Sequence, residues 1–119
     1  LSTSTDCLFC KIVAGEIPSD KVYENDTVLA FRDIAPQAPT HVLVIPKVHI
    51  DHAGTIASDD AEIVVAMMLG AQEVAKIDGI DGEDRGYRLI MNVGPDALNS
   101  VPHLHLHVVG GRSLTWPPG

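Results

Sequence analysis

Six histidines occur in this chain of 119 residues, and three of them fall at alternate positions: His103, His105 and His107. On an extended strand alternate side chains point to one face. The three imidazoles would then stand in a row, neighbours about 7 Å apart, with Leu104, Leu106 and Val108 on the opposite, core-facing side. Such a row fills a core poorly, because each neutral ring still needs partners for two nitrogens. Two chemistries suit it, and they can coexist. One is metal ligation by imidazole. The other is catalysis in which one imidazole attacks and another handles the proton. A second feature is Cys7-x2-Cys10, a spacing shared by metal sites and redox motifs. A redox motif would follow a strand, and none is expected before Cys7, so metal ranks first. A closed tetrahedral zinc site would need two further ligands from elsewhere. The plain alternative is two unligated thiols.

The elements that must carry these residues are legible in outline. Residues 7–14 suit a short helix closed by Gly15 and stopped by Pro18. Residues 21–24 and 27–32 read as strands around the turn Glu24-Asn25-Asp26. A loop with Pro36 and Pro39 follows, then a β-rich strand from His41 to Pro46. A long helix is expected from an N-cap at Ser58 to Ile77, ended by Asp78-Gly79. Beyond a charged loop come a strand over 87–93, a loop over 94–102 and a last strand over 103–109. This order predicts an α+β domain on a mostly antiparallel sheet, with one long helix and a short N-terminal one. Ile63 to Leu69 is apolar on every side, so the long helix needs cover on more than one face. A symmetric homodimer is the preferred expectation; a helix sandwiched within its own domain is the alternative.

Length predicts one domain over residues 1–119, with 1–6 a flexible start and 110–119 a tail. A hydrophobic content of 45% and a charged content of 20% are globular. Eight basic against 16 acidic residues leave a net charge of −8, which counts against a duplex-binding protein. A small nucleotide, held by a few local groups, remains compatible. No apolar run reaches the roughly 18 residues of a membrane helix, and the polar stretch Leu1 to Asp6 does not read as a signal peptide. Two cysteines are too few for a disulfide framework, so a reducing, cytoplasmic setting is expected.

His103-Leu-His-Leu-His-Val-Val109 resembles the signature of the histidine-triad superfamily: His, apolar, His, apolar, His, apolar, apolar. The segments 31–41, 44–47, 86–92 and Trp116-Pro-Pro-Gly119 are similar to its Hint branch, and the resemblance runs from about Asp6 to Gly119. It implies a purine nucleoside phosphoramidase. His105 would be the nucleophile that attacks the α-phosphorus of a nucleoside monophosphate conjugate. A nucleotidyl-histidine would form and water would release the monophosphate. The resemblance makes His107 a phosphate contact and proton manager, and His41 a member of the same hydrogen-bonded network. Ser100, which alone would read as a loop cap, would pass a proton to a departing amine. Asp33 would accept both ribose hydroxyls, Asn92 and Asn99 would lie near the phosphate, and Leu8, Phe9, Ile12, Ile17, Phe31 and Ile34 would line the base pocket. His49 and His103 would join Cys7 and Cys10 around a structural zinc. Phosphate-cradling glycine motifs are missing, Gly110-Gly111-Arg112 having the wrong spacing, so phosphate would fall to the imidazoles, Ser100 and loop amides. His52 has no assigned role.

The chain departs from the resemblance in places. Leu98-Asn99 stands where relatives carry Gly-Gln, Pro102 where they carry tyrosine, and Arg32 where some carry histidine. These departures bear on substrate preference. Two other readings stay open: a dinucleoside polyphosphate hydrolase or nucleotidyltransferase using the same site, and a nucleotide-binding adaptor dimer with vestigial catalysis.

Overall fold

A computed structural model describes residues 6–119, so most of the expected flexible start lies outside the described residues. The elements in order are α1 (Leu8–Val13), β1 (Lys21–Glu24), β2 (Val28–Arg32), β3 (Thr40–Pro46), α2 (Ala61–Ile77), β4 (Tyr87–Ile90) and β5 (Leu106–Gly110). The strands form one sheet in the order β1-β2-β3-β5-β4, antiparallel at every pairing. The α+β expectation therefore holds. No helix among the described residues is long and apolar enough to cross a membrane.

Strand alternation decides the two layers. Val28, Ala30, Val42, Val44, Leu106 and Val108 face α2, where Met67, Ala71, Val74 and Ala75 complete the core. Leu29, Phe31, Leu43 and Ile45 face the other way and are covered by Phe9, Cys10 and Ile12 of α1. Gly70 lets α2 approach the sheet closely, since a Cβ there would lie 3.2 Å from Val28. The outer face of α2 leaves Val65, Met68, Leu69 and Ile77 exposed in the single chain.

Most boundaries fall within one residue of expectation, and three differ by more or in kind. Ser58 is not the cap of α2. It opens a single 3-10 turn, Ser58–Asp60, and the Asp60 carboxylate accepts from the Ala57 N–H at 2.9 Å. β4 ends at Ile90, before Val93. β5 begins only at Leu106: ahead of it, the His103 N–H bonds back to the Val101 carbonyl and the Leu104 N–H goes to Ile50, so neither joins the ladder. The alternation survives regardless. Leu104, Leu106 and Val108 are buried on the α2 side, and the histidines lie on the side of α1.

Leu98 follows the 3-10 turn Pro95–Ala97 with φ of +62°. It occupies a left-handed conformation that suits glycine, at a position where the Hint-like pattern has glycine. The side chain is 84% exposed, so nothing offsets the strain. Leu98→Gly is expected to raise stability, by up to about 1 kcal/mol once the added freedom of the unfolded chain is subtracted. Urea melts check this; a lower midpoint would contradict it.

Candidate active site and metal centre

Hydrogen bonds to groups of fixed polarity set the tautomer of each imidazole. His105 Nδ1 lies 2.7 Å from the His103 carbonyl oxygen. A carbonyl only accepts, so Nδ1 carries the proton and Nε2 keeps its lone pair. His41 Nδ1 accepts from the Gln37 N–H at 3.1 Å. A backbone N–H only donates, so the His41 proton sits on Nε2 and is donated to His107 Nδ1, 2.9 Å away. His107 in turn must carry its proton on Nε2, an atom that is buried with no partner among the described residues.

The result is a nitrogen lone pair beside an N–H donor that has no partner among the described residues. The His105 and His107 rings are 5.0 Å apart between centroids. The Phe9 and His105 rings pack nearly perpendicular, 5.2 Å between centroids and 85° between planes. Burial, then the neighbouring His105 and His41, pushes the His107 pKa down to about 4, partly opposed by Asp33. His107 is therefore neutral at pH 7.

The depressed value carries a linkage consequence. The unfolded ring gains its proton near pH 6.5, the folded one near 4, so the folded state binds fewer protons between these values. Its stabilising contribution is complete above pH 6.5 and is lost as pH falls towards 4. His107→Gln is expected to show a smaller loss of stability between pH 7 and 5 than the unaltered protein. Equal losses in urea melts at the two pH values would contradict this.

Asp33 adjoins the same network. Its Oδ1 accepts from the Ala35 N–H at 2.8 Å and its Oδ2 lies 3.5 Å from His41 Nε2. Asp33, His41 and His107 lie close enough to hold a metal ion. The Gln37 N–H occupying His41 Nδ1, and the proton this forces onto Nε2, favour a hydrogen-bonded relay instead.

A second cluster lies on the other side of His105. Cys7 and Cys10 Sγ and the Nδ1 atoms of His49 and His103 all lie within 4.8 Å of one another. Cys7 Sγ is 3.2 Å from His103 Nδ1, Cys10 Sγ is 3.3 Å from His49 Nδ1 and 3.4 Å from His103 Nδ1, and the two Nδ1 atoms are 3.2 Å apart. His103 Nε2 donates to the Pro46 carbonyl at 2.9 Å, and His49 Nε2 to the Asp51 carboxylate at 2.8 Å. Both Nδ1 lone pairs therefore point into the cluster. Two lone pairs at that separation repel unless a cation lies between them. Bonds of 2.0–2.3 Å in a tetrahedron put ligand atoms about 3.3–3.8 Å apart, and these separations are close to that range. The residues fit a metal ion of the Cys2His2 type.

The other sequence-predicted residues are placed less uniformly. Phe9, Ile12 and Phe31 are core side chains, Ile17 packs at the edge of that core, and Leu8 and Ile34 are exposed. The six therefore do not form one enclosed pocket. Asn92 is half-buried and Ser100 is exposed. Asn99 Oδ1 is buried with no partner among the described residues. His52 gains a role: its Nδ1 accepts from the Gly54 N–H at 3.0 Å and caps the 3-10 turn Ala53–Thr55. Sequence reasoning missed the groups that fix the rings. Asp51, two residues after His49, was the one with a readable signal. Gln37 and Pro46 act through their backbones, which leave no mark in residue type.

Residues 14–114 match the family model described as HIT domain. The chain is 46% identical over 116 residues to a "14 kDa zinc-binding protein" of Brassica juncea, covering 96% of this chain and all of the relative. It is 44% identical over 114 residues to "Adenylylsulfatase HINT1" of Arabidopsis thaliana, covering 94% and 76%. A crystal structure of a HIT family hydrolase from Legionella pneumophila superposes with a TM-score of 0.91 at 48% identity, covering 96% of this chain and all of that one.

Proposed function

The chain belongs to the HIT-domain family, and on that premise we propose that it is a hydrolase that cleaves purine nucleoside 5′-phosphoramidates at the α-phosphorus. The observation that carries this reading is the pairing of the His105 Nε2 lone pair with a His107 Nε2–H that has no partner among the described residues. The Nε2 lone pair attacks phosphorus, and the P–N bond to the leaving group breaks with its electrons going to nitrogen. The departing amine takes a proton passed on by the Ser100 hydroxyl, which regains one from the attacking water in the second step. The His107 N–H stabilises the charge that gathers on the phosphoryl oxygens. Water then attacks the nucleotidyl-histidine and frees the monophosphate and the imidazole. In this reading Asp33 Oδ2 is the acceptor offered to the ribose hydroxyls, and the amides of Asn92 and Asn99 serve the phosphate. Phe9, Phe31, Ile12 and Ile17 give the base an apolar flank, with Leu8 and Ile34 on the solvent side.

Cys7, Cys10, His49 and His103 would hold zinc, and the zinc-binding name of a relative supports that assignment. Held by these four residues, zinc would cross-link α1 to the segment before β5 and would act structurally. A cytoplasmic setting would keep both thiols reduced and available to the metal. The exposed apolar side chains Val65, Met68 and Leu69 on α2 support a homodimer.

One relative's name favours a second reading, hydrolysis of adenylyl sulfate. The attack on phosphorus is the same, but sulfate departs without needing a proton. Steady-state kinetics on adenosine 5′-phosphoramidate, adenylyl sulfate and a diadenosine polyphosphate separate the readings. The phosphoramidate is expected to give the highest kcat/KM, with Ser100→Ala slowing it more than the sulfate. Faster cleavage of adenylyl sulfate or of the polyphosphate would overturn the proposal. No product from any of the three would leave the adaptor reading.

A further inference from the structure

Asp78 ends α2 as its C-cap residue, its N–H bonded to the Val74 carbonyl. Its carboxylate reaches away from the helix to the far end of the β2–β3 hairpin. Oδ1 accepts from Arg32 Nη2 at 2.9 Å, and Oδ2 accepts from Arg32 Nη1 at 2.9 Å and from the Thr40 hydroxyl at 2.7 Å. Arg32 is the last residue of β2 and Thr40 the first of β3. The residues that follow them are Asp33 and His41, and the Asp33 N–H to His41 carbonyl bond at 2.9 Å closes the ladder there. Between them lies a loop whose residues Ile34 to Gln37 are all exposed and which therefore has no core of its own. One carboxylate thus holds both neighbours of the two groups that flank His107.

We propose that Asp78 is a positioning residue: by clasping Arg32 and Thr40 it fixes both ends of the loop that presents the Gln37 N–H to His41 Nδ1, and so the tautomer handed on to His107, together with the separation of the Asp33 carboxylate from the His41 imidazole that sets the register of the ribose acceptor. Arg32 is necessary to this arrangement. Its planar fork matches both carboxylate oxygens, which a histidine at that position would not do. Thr40 is buried and its hydroxyl bonds to a charged acceptor, so a group without the hydroxyl leaves Asp78 Oδ2 with its Arg32 bond alone and unties β3 from the clasp.

The proposal rests on the catalytic reading for its ribose element and is independent of it for the rings. The test uses the full chain with its metal, in four forms: unaltered, Asp78→Asn, Thr40→Val and Thr40→Ser. Histidine side-chain 15N NMR reads the rings without any substrate. The unaltered protein and Thr40→Ser are expected to show His41 and His107 each protonated on Nε2 alone, and Asp78→Asn and Thr40→Val to show mixed or exchange-broadened tautomers. Calorimetric titration with adenosine and 2′-deoxyadenosine monophosphates reads the acceptor. Preference for the ribonucleotide is expected to fall roughly tenfold in Asp78→Asn, on the scale by which sub-ångström to ångström displacement degrades a site. Unchanged tautomers in both disruptive variants would overturn the proposal, active or not. Disordered tautomers would sustain it even if the unaltered protein bound both nucleotides equally, an outcome that would count against the ribose role of Asp33 instead. If Asp78→Asn fails to fold, Thr40→Val carries the test and Thr40→Ser supplies the rescue.

Discussion

His105→Ala is expected to lower turnover of an adenosine phosphoramidate by roughly 10⁴-fold or more, the scale of loss when a covalent nucleophile is removed, while leaving monophosphate affinity within a few-fold. The expectation follows from how little else the ring can do. Its Nδ1 is committed to the His103 carbonyl, its flank is held by Phe9, and only Nε2 is left to react. None of the other imidazoles can substitute. His103 Nδ1 faces the thiols, His107 Nδ1 accepts from His41, and His41 Nδ1 accepts from Gln37. Losing the His105 ring costs the His103 carbonyl its partner, about 1 kcal/mol, so the variant should fold. Rapid quenching and mass measurement of the intact protein add a second readout. The unaltered chain should carry one nucleotidyl group during turnover and His105→Ala none. Turnover in the variant within tenfold of the unaltered protein would remove His105 as nucleophile.

The second large effect concerns the metal cluster. Replacing Cys7 and Cys10 together by serine is expected to abolish zinc retention and to cost several kcal/mol. That is well short of the roughly 10–16 kcal/mol seen where metal alone folds a small domain, because the α2 face of the sheet keeps its own core. For a domain of this size the melting temperature should fall by about 10–20 °C. Turnover should fall as well, for a reason in the geometry. His103 offers Nδ1 to the cluster and its carbonyl to His105, and Phe9, between the two cysteines on α1, touches both rings. A cluster that loses its ion frees α1, the His103 segment and the tautomer of His105 together. Metal analysis, thermal melts with and without chelator and initial rates check each part. Equal zinc in both proteins would contradict the ligand set. A melting curve indifferent to chelator would contradict the stabilising role.

The sequence by itself determined the order of the elements and the row of imidazoles opposite an apolar face. Alternation over residues 103–108 follows from strand geometry alone, so the separation of apolar and imidazole faces was readable there, and the Cys7-x2-Cys10 spacing, shared with redox motifs, left metal as the first reading with two ligands to be found. Neither the spacing nor the periodicity could say which histidines would complete it; His49 and His103 came from resemblance and were brought together by the fold. Other matters were decided only in three dimensions. His103 lies outside the strand to which its alternation assigned it, because the N–H groups of His103 and Leu104 bond to Val101 and Ile50 instead of the ladder. Ser58 lost the helix cap to a preceding 3-10 turn. Above all, the protonation pattern of the site depends on a backbone N–H at Gln37 and backbone carbonyls at His103 and Pro46. Every residue carries such groups, so side-chain identity gives no hint of which ones will meet an imidazole. Only the path of the chain decides that.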